Sequence, residues 1–271
     1  MNNKELYTRL KNILSEISEE DYPEIYNIIE NELDFSDESV YEEAYNIAGE
    51  LHEADGTKIL PECVADFIID VYTDELNSGN VNAACDIGSL YYTGRAGEQN
   101  YKKAVEYYTI AADGGCRQAQ ENLGYCFYYG RDIPVDYEKA FHYFALGAFD
   151  GHLRSLYKIG DMYRNGYYVD KNEVEAFRIY MHCAQGLNED NIHLVGADIM
   201  IRLGDCFFKG IGTEVDNKQA LKYYQSAEQM YYERLESGDF LIKNCYKHVL
   251  KNQEEARQRL NDVLPGYEWT K

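Results

Sequence analysis

Apolar residues recur along this chain at the three- and four-residue spacing of amphipathic helices. The pattern is clearest in four similar segments, AACDIGSLYYTG, AQENLGYCFYYG, SLYKIGDMYRNG and IMIRLGDCFFKG. Each segment has an aliphatic residue, then a glycine that we call the anchor glycine, and a second glycine six positions later; the anchors are Gly88, Gly124, Gly160 and Gly204. The anchors are 36, 36 and 44 residues apart, and self-similarity at such a period predicts a repeat architecture.

Each repeat predicts two antiparallel helices, A and B. The second glycine of each segment can adopt the left-handed conformation that ends helix A, at Gly94, Gly130, Gly166 and Gly210. Good N-cap residues follow, and we expect them to start helix B at Asn100, Asp136, Asn172 and Asp216. Helix B then carries an alanine and an aromatic or aliphatic pair at the same offsets in all four copies.

The anchor glycine lies inside helix A, where glycine costs about 1 kcal/mol relative to alanine. Its recurrence therefore requires a compensating interaction. We expect a neighbouring backbone or aromatic ring to occupy the volume that a Cβ would fill.

The segment AQENLGYCFYYG followed by VDYEKAFHYF resembles the Sel1-like repeats, which are relatives of the tetratricopeptide repeat. The resemblance implies an all-α, right-handed α-α superhelical solenoid of antiparallel helix pairs. Ala44, Gly49 and Ala65 stand at the offsets of a further, degenerate copy. The predicted order is an N-terminal helical cap over 1–35, the degenerate repeat over 36–81, repeats over 82–117 and 118–153, a repeat with an insertion over 154–196, a repeat over 197–236, and a C-terminal capping helix and tail over 237–271.

Eight extra residues lengthen the period between the third and fourth copies, around Leu187 to Val195. Two interpretations stay open. The insertion is either a longer loop or an extension of the helices, which is energetically cheap, or a protruding element that marks a binding edge.

Acidic residues outnumber basic residues by 48 to 26, which gives a net charge of −22. Residues 1–75 alone carry 21 acidic and 4 basic residues. This surface either attracts a basic partner or only keeps the protein in solution, and its sign excludes nucleic acid as an expected partner. Since the chain has neither a signal-like apolar start nor a run of about 20 apolar residues, we expect a soluble cytoplasmic protein with no membrane partner.

Residues with catalytic or metal-binding chemistry form no recognisable motif. The seven cysteines include no C-x-x-C pair, and the regular disulfide of cysteine-rich Sel1-like proteins does not fit their positions, so we expect reduced, mostly buried thiols. The six histidines lack compact zinc spacing. We therefore expect no enzyme activity, no metal and no cofactor; the alternative is a hydrolase of the β-lactamase-like kind proposed for cysteine-rich relatives.

Tyrosine is abundant, at 27 of 271 residues. In tetratricopeptide-like solenoids the A helices line the concave surface, so the resemblance implies a groove lined by residues one, four and five after each anchor. The candidate partner-binding residues are Tyr92, Tyr125, Tyr128, Tyr129, Asp161, Arg164, Asp205 and Phe208. Partial burial in the core is the alternative for these side chains.

The expected function is a non-enzymatic protein–protein interaction scaffold that binds a peptide or protein in this groove. A self-associating structural solenoid is the alternative, and the acidic N-terminal quarter is the alternative binding surface.

Overall fold

The computed structural model describes residues 1–36, 38–56, 58–236 and 242–263. The chain divides into two compact units, an N-terminal unit of residues 1–140 and a C-terminal unit of residues 141–271. Apart from one short hairpin, the described residues are organised as helices joined by tight turns.

The N-terminal unit begins with helices that cover the first apolar face. Its elements are α1 (Asn3–Glu16), α2 (Pro23–Glu32), the antiparallel strands β1 (Leu33–Asp34) and β2 (Ser39–Val40), then α3 (Ala44–Glu53), α4 (Glu62–Asn77), α5 (Val81–Thr93), α6 (Tyr101–Asp113), α7 (Arg117–Tyr129) and the first residues of α8 (Tyr137–Phe149). The hairpin of β1 and β2 has no counterpart among the elements that the sequence pattern predicts. Leu33 and Val40 pair across it, and both are buried in a core that runs from α1 to α5.

The C-terminal unit contains the rest of α8, then α9 (Leu153–Asn165), α10 (Glu173–Gln185), α11 (Ala197–Lys209), α12 (Asn217–Glu236) and α13 (Lys243–Val263). Its core is built from buried residues of α9 to α13. The predicted C-terminal capping helix is α13, whereas the tail predicted after residue 263 lies outside the described residues.

The predicted ends of the repeat helices are confirmed. Helices α5, α7, α9 and α11 each stop at a left-handed glycine: Gly94, Gly130, Gly166 and Gly210, with φ between 66° and 75°. The side-chain oxygens of the predicted N-cap residues accept backbone N–H groups three residues later at 2.9–3.0 Å, at Asn100, Asp136, Asn172 and Asp216.

The packing role of the anchor glycine is confirmed for three repeats. A Cβ placed on Gly88, Gly160 or Gly204 would lie 2.6 Å from a ring carbon of the tyrosine twenty residues later: Tyr108, Tyr180 and Tyr224. The aromatic ring of helix B therefore fills the missing Cβ volume of helix A.

The predicted register of the degenerate copy is wrong at its anchor. A Cβ on Gly49 would meet no atom within 4 Å, so Gly49 does not act as an anchor. His52 stands 36 residues before Gly88, and its ring packs against Tyr72, twenty residues later, at a centroid distance of 6.0 Å. This pair keeps the 36-residue register with a hydrogen-bonding histidine in place of the glycine.

Candidate functional site

Six tyrosines lie around the C-terminal ends of α5 and α7. With Arg131 they form what we call the tyrosine cluster: Tyr92, Tyr101, Tyr125, Tyr128, Tyr129 and Tyr137. Four of the eight candidate residues belong to it. All of its members lie in the N-terminal unit.

The turn between helices A and B brings these rings together. After α5 the chain reverses, and the backbone N–H of Asn100 donates to the carbonyl of Tyr91 at 2.8 Å. This bond holds the first residue of α6, Tyr101, beside the last turn of α5, where it meets Tyr92 edge-to-face at 5.1 Å. The next helix pair repeats the geometry with Tyr128 and Tyr137 at 5.7 Å.

Tyr129 connects the members of the cluster. Its ring packs edge-to-face on Tyr128 at 4.9 Å and lies nearly parallel to Tyr125 at 6.2 Å. The guanidinium of Arg131 lies 5.3 Å from the ring centroids of both Tyr129 and Tyr101, so a cation–π contact joins the two helix pairs.

The cluster combines fixed rings with accessible polar edges. Tyr129 is 48% exposed, and Tyr92, Tyr125 and Tyr128 are half-buried. Burial raises the pKa of the Tyr92 hydroxyl, although the nearby Arg131 opposes this shift. The hydroxyl therefore stays protonated at neutral pH and can both donate and accept hydrogen bonds.

The candidate residue Asp161 is buried in the C-terminal unit, with 8% of its surface exposed. Arg202 forms a two-point ion pair with its carboxylate, with both N···O distances at 2.7 Å. The Tyr180 hydroxyl donates to the same carboxylate at 2.8 Å, and Lys158 lies 3.5 Å away. Burial alone would raise the pKa of Asp161, but Arg202 and Lys158 outweigh it and hold that pKa below its usual range.

Asp205 has the equivalent place in the next helix pair and is also buried. It accepts hydrogen bonds from the Tyr224 hydroxyl at 2.7 Å and from the Asn252 amide at 3.1 Å. The candidate residue Arg164 lies 3.6 Å from this carboxylate. Burial raises the pKa of Asp205, but the bond from Tyr224 and the surrounding cations lower it below its usual range.

Phe208, the last candidate, is 3% exposed and belongs to the core around α12. Arg259 covers its ring, with the guanidinium 3.8 Å from the ring centroid. Core burial, which the sequence left open as the alternative, therefore describes Phe208, Asp161 and Asp205. A partner could reach little of these three side chains.

Tyr101 and Tyr137 of the tyrosine cluster and Arg202, the partner of Asp161, were not among the candidate residues. Tyr101 and Tyr137 each follow an N-cap and stand 36 residues apart, so the repeat period was a signal that could have found them. No such signal exists for Arg202, because its partner Asp161 is 41 residues away and other repeats carry no matching pair.

Hydrogen bonds link a serine, a histidine and a tyrosine between α3, α4 and α5, and a serine paired with a histidine also occurs in the active sites of hydrolases. Ser89 Oγ lies 3.1 Å from His52 Nε2, and His52 Nδ1 lies 3.2 Å from the Tyr72 hydroxyl. Burial lowers the pKa of His52. Ser89 lies within α5, where the backbone N–H groups bond within the helix, so they are not available to stabilise an oxyanion. We interpret these hydrogen bonds as part of the packing between the three helices.

The cysteines include one neighbouring pair, since the thiols of Cys85 and Cys116 interact with each other. All seven cysteines are free, and burial raises the pKa of Cys126, Cys183 and Cys206 to about 12, which keeps them as unreactive thiols. Among the described residues, no three His, Cys, Asp or Glu side chains are grouped so as to hold a metal ion.

The described residues also contain no helix with the combination of length and apolarity that crossing a membrane requires.

The chain matches the model of a known repeat family over about half of its length. The family model of the Sel1 repeat matches residues 81–116, 117–152, 153–180 and 197–232. A comparison with curated proteins gives no match.

Two of the solved structures that match this chain illustrate the shared fold. A Sel1 repeat protein from Oxalobacter formigenes is 20% identical, with a TM-score of 0.58 over 84% of this chain and 86% of that one. The structure of c5321, a protective antigen of uropathogenic Escherichia coli strains that displays an SLR fold, is 22% identical, with a TM-score of 0.51 over 59% of this chain. This chain covers only 33% of the Escherichia coli protein.

Proposed function

Because the chain belongs to the Sel1 repeat family and folds as an all-α solenoid of helix pairs, we propose that it is a scaffold that binds a basic peptide or protein through the tyrosine cluster. The observation that carries the proposal is the cluster itself. Six tyrosines from two consecutive helix pairs support one another, and Tyr129 is half exposed among them.

Tyrosine suits recognition because its ring offers a large contact area while losing little conformational entropy, and its hydroxyl still bonds to a partner. Here the contacts with Tyr125, Tyr128 and Arg131 already restrict the ring of Tyr129. A partner would therefore meet a surface that is ordered before binding.

The charge of the same unit selects the partner. Residues 1–140 carry 29 acidic and 10 basic residues, a net charge of −19. This field attracts a basic segment and repels nucleic acid phosphates. A partner with Lys or Arg beside its contact residues would gain both association rate and specificity.

The proposed role is non-catalytic. The Ser89–His52 pair has no backbone donors for an oxyanion, and the buried thiols with a raised pKa are poor nucleophiles. The carboxylates of Asp161 and Asp205, whose pKa values are lowered, already accept hydrogen bonds from side chains within the protein.

A peptide-display selection tests the proposal. The immobilised full chain is exposed to a random peptide library, and enriched peptides are synthesised and titrated by calorimetry. We expect enrichment of Lys and Arg, and we expect Tyr125→Ala/Tyr129→Ala to weaken binding by at least about tenfold, since interface tyrosines contribute about 2 kcal/mol each.

Tyr41→Ala is the matched control. Tyr41 lies in the same unit and is 69% exposed, but it is outside the cluster. Binding should survive this change, and melting temperatures of all variants separate loss of contact from loss of fold. Normal binding by the folded Tyr125→Ala/Tyr129→Ala variant would move the site to another surface, with the acidic N-terminal quarter as the next candidate. A concentration-dependent mass in light scattering would instead support a self-associating solenoid.

A further inference from the structure

Four exposed apolar side chains lie where helix B of one pair passes to helix A of the next in the C-terminal unit. Phe149 is 93% exposed and Leu146 is 37% exposed, at the end of α8. Leu194 is 51% exposed and Ile192 is 37% exposed, in the insertion after α10. We call these four residues the edge patch.

The two turns that carry the edge patch are neighbours. Leu153 follows Phe149 by four residues and begins α9. Its Cδ2 lies 3.0 Å from where a Cβ of Gly186, the residue after α10, would stand. Leu153 and Leu187 pack against the core cluster that contains Val195, so both turns border the same core.

The insertion presents Ile192 and Leu194 from an ordered turn. Residues Ile192–Gly196 form a π-helical turn, and Asn188 and Asn191 bond reciprocally, each side chain accepting the other's backbone N–H at 2.9–3.1 Å. Val195 and Gly196 are buried. The insertion therefore extends α11 at its N-terminal end by a π-helical turn, which is the helix extension that the sequence left open, and this turn leaves two apolar side chains exposed.

Single exposed apolar residues are common on proteins, but neighbouring ones on a fixed edge indicate an interaction surface. The exposed charges beside the edge patch are the acids Asp150, Glu189 and Asp190. Residues 141–153 and 181–201 contain no Lys or Arg, and the nearest cation in sequence after α8, Arg154 in the first turn of α9, is half-buried. A second copy is a poor occupant, because two chains of net charge −22 repel each other.

We infer that the edge patch binds the apolar face of an amphipathic helix whose polar face carries Lys or Arg. A helix presents apolar anchors at i, i+3, i+4 and i+7, which suits two apolar pairs on adjacent turns. A strand would need a sheet edge to pair with, and the described residues of this unit offer helices and turns alone.

A fluorescence anisotropy titration with designed peptides tests this inference. The probe is a labelled helix of about 18 residues with leucines on one face and lysines on the other. A second peptide has the same composition with its leucines spread around the helix, and a third has glutamate in place of lysine. At about 0.15 M salt, we expect the first peptide to bind at least tenfold more tightly than either of the others.

The second peptide measures non-specific attraction to the acidic N-terminal unit, so the preference between the two lysine peptides is the diagnostic quantity. Phe149→Ser/Leu194→Ser should abolish this preference. The control Val174→Ser changes a 50% exposed valine in the first turn of α10 and should keep it. A preference that survives Phe149→Ser/Leu194→Ser, or equal binding of the glutamate peptide, would overturn the inference.

Two further outcomes separate this surface from the others. The Tyr125→Ala/Tyr129→Ala variant should keep the preference, since the tyrosine cluster belongs to the other unit; loss of the preference in that variant would overturn the edge patch as the site. A dimer in light scattering that Phe149→Ser/Leu194→Ser dissociates would show that a second copy is the occupant, which also contradicts the inference.

Discussion

Replacing the anchor Gly88 by alanine should destabilise the protein, although alanine is the better helix former. The added Cβ would lie 2.6 Å from Tyr108 Cδ1, 2.7 Å from Cε1 and 3.3 Å from the carbonyl oxygen of Ala104. The ring is 2% exposed, and its neighbour Tyr92 lies 6.3 Å away, so it has little space to move. The helix backbone at Ala104 cannot move without disturbing α6.

Gly49→Ala supplies the matched control in the same unit. Gly49 also lies inside a helix, α3, but its added Cβ meets no atom within 4 Å. Helix propensity favours alanine by about 1 kcal/mol at both sites, and overpacking costs about 1–3 kcal/mol at Gly88 alone. We expect Gly49→Ala to stabilise by about 0.5–1 kcal/mol, and the two variants to differ by about 1–3 kcal/mol.

Urea unfolding followed by circular dichroism measures both variants, provided that the dependence of the free energy on urea concentration is unchanged. In the Tyr108→Leu background the ring is absent, so Gly88→Ala should lose most of its penalty. Equal changes in unfolding free energy for Gly88→Ala and Gly49→Ala would refute the argument that an aromatic ring fills the anchor volume.

Three further predictions concern polar groups. Burial lowers the pKa of His52, so the unfolded state binds a proton more readily than the folded state does. The protein should therefore become less stable as the pH drops from about 7.5 to about 5. Melting temperatures measured across this range should depend less on pH in His52→Gln. Arg202→Leu leaves the Asp161 carboxylate buried without its main partner and should lower the free energy of unfolding in urea by about 3–5 kcal/mol. Adding Asp161→Asn should restore part of this loss, because the buried charge is then removed. A loss under about 1 kcal/mol would contradict the burial of this pair. Asn172→Ala removes the cap of α10 and should cost about 1 kcal/mol, while an unchanged Tm would show that the 3.0 Å bond to the Glu175 N–H contributes nothing.

The amino-acid sequence by itself determined the repeat, the helix ends and the caps. These features depend on interactions within a few residues: Asn100 bonds to an N–H three positions away, and Gly94 needs only its own left-handed conformation. The anchor glycine was also predictable, because a recurring helical glycine implies a compensating neighbour. Because every copy contains the same short-range interactions, the helix ends of one copy predict those of the next.

Tertiary structure alone decided which candidate residues are exposed. Ser89, Tyr125, Asp161 and Asp205 share one repeat position, immediately after the anchor, yet the first two are half-buried and the last two are buried. The difference comes from partners that are distant in sequence: Arg202 reaches Asp161 from 41 residues away, and Asn252 reaches Asp205 from 47 residues away. The position of His52 opposite Tyr72 and the π-helical turn that exposes Leu194 were decided in the same way. The burial of a side chain depends on the residues that folding brings next to it. The position of a residue within the repeat specifies only its place on the helix, so it does not determine burial.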